Sequence, residues 1–153
     1  IFYAIQGNGN GHLSRAVELY PFLKKYGEVD FLLSGCNANL NNSLPVKYRS
    51  KGLNLFYKHS GGLDYIKILR SFSLSIFNDA NCLPVEQYDL VINDFDFVTS
   101  LACRLKHIPC VHFGHQASFQ SKKTPRPNKK DFLGNLILEK FVKSKNHRHS
   151  FYL

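Results

Sequence analysis

Seven consecutive residues, Gln6-Gly7-Asn8-Gly9-Asn10-Gly11-His12, join alternating glycines to an imidazole. Glycines let backbone N–H groups approach a ligand closely, and a helix after them turns its positive end toward an anion. His12 offers a general base. It also has a plain structural use, capping or packing the start of that helix. A nearby carboxylate would orient the ring. Asp94 and Asp96, far along the chain in Asn93-Asp94-Phe95-Asp96, are the two candidates. Either could instead cap a helix starting near Phe97. His115-Gln116 is a further polar pair.

Several chemistries lose their footing at once. No Gly-Lys-Ser/Thr follows the loop, so it is not a Walker motif. Gly7 and Gly9 fit a dinucleotide fingerprint, but His12 stands where the third glycine belongs, and its bulk opposes close helix–strand packing. That argues against a free-standing dinucleotide-binding or redox module. Cys36, Cys82, Cys103 and Cys110 form no Cys-x-x-Cys pair, and the seven histidines form no His-Glu-x-x-His set. No metal site is expected, and the cysteines read as buried thiols of a reducing compartment. His147 and His149 fall in a polar, basic tail and read as solvated.

The elements that must position these residues follow from hydrophobic runs and breakers. Strands are expected at Ile1–Ile5, Val29–Ser34, Leu53–Tyr57 (with Val46–Arg49 as a forerunner), Asp89–Asn93 and Ile108–Phe113. A helix is expected over Ser14–Tyr26, with Ser14 as N-cap, Val17, Tyr20 and Leu23 on one face, and Gly27 closing it. Residues 36–43 read as a short helix or loop. A helix over Leu63–Phe77 would carry a stripe of Tyr65, Ile66, Leu69, Phe72 and Ile76. Further helices are expected over Phe97–Lys106 and Leu133–Lys143. Strands alternating with helices predict an α/β, Rossmann-like domain with a parallel sheet in the order 3-2-1-4-5. Ligands in such sheets bind at the carboxyl ends of the strands, beside the point where the strand order reverses. This places the loop after strand 1 opposite Asp94–Phe97 after strand 4, with His115-Gln116 next along the rim.

Size and charge agree with a single domain over residues 1–153. Apolar residues make up 44% and charged residues 20% of the 153, which excludes a disordered or collagen-like chain. No run approaches the ~20 apolar residues of a membrane span, and no signal peptide is visible. The net charge of +9 is uneven. Residues 121–153 hold nine basic and two acidic residues, a net of +7. This segment, with a basic loop at about 121–131, suits a solvated loop, phosphate groups or an anionic membrane. Nucleic acid is not expected, because interleaved aromatics and helix-turn-helix or finger patterns are missing.

The opening IFYAIQGNGNGHLSRAVEL, with VDFLLSG, VKYRSKGLNLFY, GGLDY, DLVINDFDF and HFGHQASF, resembles the N-terminal domain of a family of predicted bacterial and archaeal glycosyltransferases. These have the two-Rossmann-domain GT-B architecture, and the resemblance covers nearly the whole chain. More distantly, the chain is similar to the transferase that adds N-acetylglucosamine to lipid-linked muramyl peptide, which also has a Gly-rich loop ending in His. Plant UDP-sugar glycosyltransferases place a base His after strand 1 and an Asp that holds it after a later strand. His12 and Asp94 match those positions.

The resemblance implies the acceptor-binding half of an inverting glycosyltransferase that uses a nucleotide-diphosphate sugar. Within it, His12 would be the base and Asp94 its holder. Gly7, Asn8, Gly9, Asn10 and Gly11 would lie near the donor phosphates, and Asp96, His115 and Gln116 on the acceptor rim. It implies no cofactor and no catalytic metal. The donor domain, in cis or on a partner chain, is expected outside these residues, with Phe151–Leu153 near the start of a linker. A chain without Met is expected to lack its true start. The alternative is a non-catalytic subunit that recruits a donor-binding partner. A cytoplasmic location, peripheral at the inner membrane face, completes the expectation.

Overall fold

The computed structural model describes residues 1–35, 44–54, 56, 58–59, 64–71, 73–114 and 150–151. The elements run β1 (Phe2–Gln6), α1 (Asn10–Leu23), β2 (Asp30–Ser34), β3 (Val46–Ser50), α2 (Tyr65–Ser71), α3 (Ser75–Cys82), β4 (Val91–Asp94), α4 (Phe97–Leu105), β5 (Val111–Phe113) and β6 (Ser150–Phe151). Every strand pair is parallel, in the order β3-β2-β1-β4-β5-β6. The α/β, Rossmann-like sheet of order 3-2-1-4-5 is therefore present. The short β6 extends it beyond β5, at residues the sequence suggested for a linker.

β1 is buried along its whole length, as a central parallel strand must be. Its side chains alternate between two cores. Phe2 and Ala4 join Leu32, Val91, Ile76, Ala80, Val98 and Ala102 under α3 and α4. Tyr3 and Ile5 join Phe31, Leu33, Ile92, Leu13 and Ala16 under α1. The chain thus leaves β1 for one face and β4 for the other, which opens a gap between the two strand ends. At its base Ile5 is the register partner of Asp94, and Gln6 that of Ser34 on the other side of β1.

Strand β5 starts at Val111 instead of Ile108, and four further differences from expectation have a local reason. α1 starts at Asn10 instead of Ser14, behind an extended Gly9 (φ −178°) with no side-chain cap. It ends at Leu23 because the ladder tightens there: the Lys25 and Tyr26 N–H groups donate only three residues back, to the Phe22 and Leu23 carbonyls, before Gly27 (φ +151°). The third strand is Val46–Ser50, not the run from Leu53. Gly52 (φ +60°) stops it, and Leu53 and Asn54 turn back into the core. The single helix expected over Leu63–Phe77 is two. Ser71 bonds back to the Ile68 carbonyl (2.9 Å), and the Ser73 hydroxyl accepts from the Ser75 N–H (3.2 Å), so side chains compete with the helical ladder at the break. The expected stripe is corrected with it. Ile68 and Ile76 are buried, whereas Ile66 and Leu69 face outward. Cys103 and Cys110 are buried thiols, but Cys82 is exposed. The basic loop near 121–131, the helix over 133–143, Cys36, Phe72, His147 and His149 lie outside the described residues.

Gly35 and Gly52 are needed for close approach, whereas Gly9 and Gly11 of the first loop are not. A Cβ on Gly35 (φ +119°) would sit 3.0 Å from Asn8 Oδ1 and 3.2 Å from the Gly7 carbonyl carbon. A Cβ on Gly52 would overlap the Ser34 hydroxyl. Gly52→Ala is expected to lower the free energy of unfolding by roughly 2–3 kcal/mol, from left-handed strain plus overpacking. Gly9→Ala, with open space around it, should cost less than about 1 kcal/mol. Urea unfolding of both variants checks this, and equal losses would contradict it.

Candidate active site

The alternation of β4 decides what meets what. Ile92 lies in the α1-side core and Val91 in the opposite one, so the fully buried Asp94 points under the first turns of α1. There His12 and Arg15, three residues apart on one helix face, converge on it. His12 Nδ1 stands 2.7 Å from Asp94 Oδ1. Arg15 Nη1 donates to the same oxygen at 3.2 Å. Tyr3, two residues down β1 from Ile5, brings its hydroxyl to 3.5 Å from Oδ2. Burial first, and then the Asp94 charge, push the Tyr3 phenol well above its ordinary value, so it keeps its proton and can only donate to the carboxylate.

The flanking rings complete the site. Phe95 has a left-handed backbone (φ +64°), uncommon for a bulky residue. Its ring stacks on His12 at 6.1 Å between centroids, 8° from parallel. The Arg15 guanidinium carbon lies 5.7 Å from the centre of the Phe113 ring at the end of β5. With the carboxylate facing Nδ1, the neutral imidazole keeps its proton there and carries its lone pair on Nε2. Such a ring can accept a proton from a hydroxyl while the carboxylate holds it in place.

The kink at Phe95 sends Asp96 to the opposite face. Asp96 is the N-cap of α4, accepting from the Thr99 N–H at 2.7 Å, with Asn93 bracing the turn. It is buried and does not meet His12, so its expected place on an open rim is corrected to a capping role. His115 and Gln116 lie outside the described residues.

The glycine loop also differs from a phosphate cradle. The Gly7 N–H is spent on the Ser34 carbonyl (2.5 Å), and the Asn8 amide on Leu53 O (3.3 Å), which also accepts from Gln6 Nε2 (3.1 Å). Gly9 caps α1, and Asn10 and Gly11 form its first turn. Among the described residues, no three His, Cys, Asp or Glu side chains gather as a metal site. Arg15, Tyr3, Phe95 and Phe113 were not found by sequence reasoning. The signal for Arg15 was present as His12-x-x-Arg15, but it shows only once α1 begins before His12.

Burial raises the Asp96 carboxyl above its ordinary value, against the opposing Ser34 hydroxyl and Thr99 N–H. The native chain therefore holds a proton that the unfolded chain has already shed as pH rises past the ordinary carboxyl value. Folding takes up that proton, so this group's contribution to stability falls as pH rises through the window. Asn caps a helix as well as Asp does. Asp96→Asn should match the wild type within about 0.5 kcal/mol at pH 3.5 and gain on it toward pH 7. Urea unfolding at the two pH values reads the difference, and a gap that stays constant or closes the other way would contradict it.

No family model, curated protein or solved structure matches this chain.

Proposed function

We propose that this chain is the acceptor-binding half of a glycosyltransferase that uses a nucleotide-diphosphate sugar. The observation that supports this best is the His12–Asp94 contact of 2.7 Å at the strand-order reversal. His12 Nε2 takes the proton of an acceptor hydroxyl as its oxygen bonds to the anomeric carbon of the donor. The bond from that carbon to the diphosphate breaks, and the nucleoside diphosphate leaves with the electron pair. Asp94 stabilises the imidazolium so formed. Attack on the face opposite the leaving group inverts the anomeric centre. The donor sits on a second domain, in cis or on a partner chain, and is the substrate; no resident cofactor is required.

In the full-length protein, His12→Ala should lower sugar transfer by roughly 10²–10⁴, the usual worth of a placed base. Asp94→Asn should do less harm, since it orients and does not transfer. Nucleoside diphosphate release with a panel of nucleotide sugars and acceptors measures this. Unchanged turnover in folded His12→Ala overturns the base. A folded wild type that neither binds a nucleotide sugar nor turns over by itself, and does both once a partner chain is added, favours the recruiting subunit instead.

The acceptor in this proposal is lipid-linked, and the domain works at the cytoplasmic face of an anionic bilayer. The outer face of α2 and α3 supports this. Leu69 and Leu74 are 75% and 76% exposed, and Ile66 and Phe77 also face outward. Lys67 and Arg70 lie among them. Apolar side chains with interspersed cations suit an interfacial surface. No helix among the described residues is long and apolar enough to cross a membrane. Lys122, Lys123, Arg126, Lys129 and Lys130 add charge worth about 1 kcal/mol each near an anionic leaflet. Co-sedimentation with phosphatidylglycerol vesicles should weaken with salt, with neutralisation of those five residues, and with Leu69→Ser/Leu74→Ser. Binding that is absent at low salt, or equal on neutral lipid, leaves a soluble acceptor.

A further inference from the structure

We infer that Arg15 is the anchor for a phosphate group of the ligand, and that this group is held beside His12 and not in the glycine loop. The inference rests on the proposed transferase reading and names the residue that recognises the charged part of its substrate.

Arg15 is fixed before any ligand arrives. Its Nη1 donates to Asp94 on β4, and its guanidinium lies over Phe113 on β5. Two separate strands therefore hold one planar group. Asp94 takes one of the five N–H donors of a guanidinium, and among the described residues this is the hydrogen bond Arg15 makes. The side chain is 23% exposed, whereas the carboxylate it meets is fully buried. A guanidinium stays charged at every working pH, and its fork matches phosphate oxygens two at a time. Held rigid in advance, it loses little freedom on binding.

Part of the loop is already committed, while Gly9, Asn10 and Gly11 lead into the first turn of α1 beside His12. The Gly7 N–H and the Asn8 amide are bonded within the fold. Gly9 and Gly11 have open space where a Cβ would stand, so nothing in the fold requires glycine there for close packing. His12 and Arg15 reach the same oxygen, which puts their bonded nitrogens at most about 6 Å apart. A phosphate on Arg15 is thus next to the proposed base. Asp94 offsets part of the cation's charge, so recognition comes from the fixed fork more than from net charge.

The phosphate could belong to the donor diphosphate or to a lipid-linked acceptor, and two probes separate them. Inorganic pyrophosphate stands for the donor and a short-chain alkyl phosphate for the acceptor. Titration calorimetry on the whole chain should show binding of at least one probe. Arg15→Gln should weaken it ten-fold or more, Arg15→Lys less, and Gly9→Ala less than two-fold. The probe that responds identifies the source. His12→Ala should keep the binding, so loss of transfer and loss of the anion site are read apart. In the wild type, the bound probe should protect Arg15 from phenylglyoxal, a readout that needs no variant to fold. The assignment is overturned if Arg15→Gln binds like the wild type, if Gly9→Ala loses binding while Arg15→Gln keeps it, if neither probe binds, or if neither protects Arg15.

Discussion

A carboxylate with no contact with water is costly unless opposite charge and hydrogen-bond donors surround it. Asp94 is such a group, at the end of a central strand. Its neighbours answer that demand: an imidazole and a guanidinium on Oδ1, and a phenol toward Oδ2. The three come from β1 and α1, so the demand of one carboxylate fixes how the first strand and first helix sit against the fourth strand. Removing one partner of a buried pair typically costs about 3–5 kcal/mol. The same contacts that orient His12 are therefore contacts the fold cannot lose cheaply.

Asp94 and Asp96 show how little separates a reactive carboxylate from a structural one. They are two residues apart, and an uninterrupted strand would send both to one face. The left-handed turn at Phe95 separates them. Asp94 goes under α1 to meet His12, and Asp96 goes to the α4 side to satisfy the Thr99 N–H. The Phe95 ring, carried on the same kink, lies flat against the imidazole. Local backbone strain thus aims two carboxylates and places a ring at once.

Strand order was legible in the sequence because it follows from the alternation of apolar strands with helices and from crossover handedness. That order put the loop after strand 1 opposite Asp94–Phe97 but left Asp94 and Asp96 both open as partners of His12; the resemblance pointed to Asp94, and the turn at Phe95 is what separates the two. Other features depended on information the periodicity does not carry. The helix over 63–77 read as continuous because the stripe through Ile66 and Leu69 has helical spacing, but Ser71, Ser73 and Ser75 divert the backbone, and a different residue, Ile68, enters the core. The alternating glycines drew attention to Gly9 and Gly11, whereas tight contacts occur at Gly35 and Gly52, each just after a strand. Arg15 was hidden by an N-cap placed five residues late. Its partner Asp94 lies 79 residues away, and only the tertiary structure brings a charge pair of that separation into view.

That separation bears on how the chain becomes competent. The β1–β2 pairing needs only one helical crossover, but His12 and Asp94 are 82 residues apart in sequence. Contacts so distant close a long loop, which makes them slow relative to local structure. A nascent chain that has not yet emerged past β4 carries His12 on a helix with no carboxylate beneath it. The dyad is thus assembled late, and synthesis of the fourth strand turns a helix-borne histidine into an oriented one.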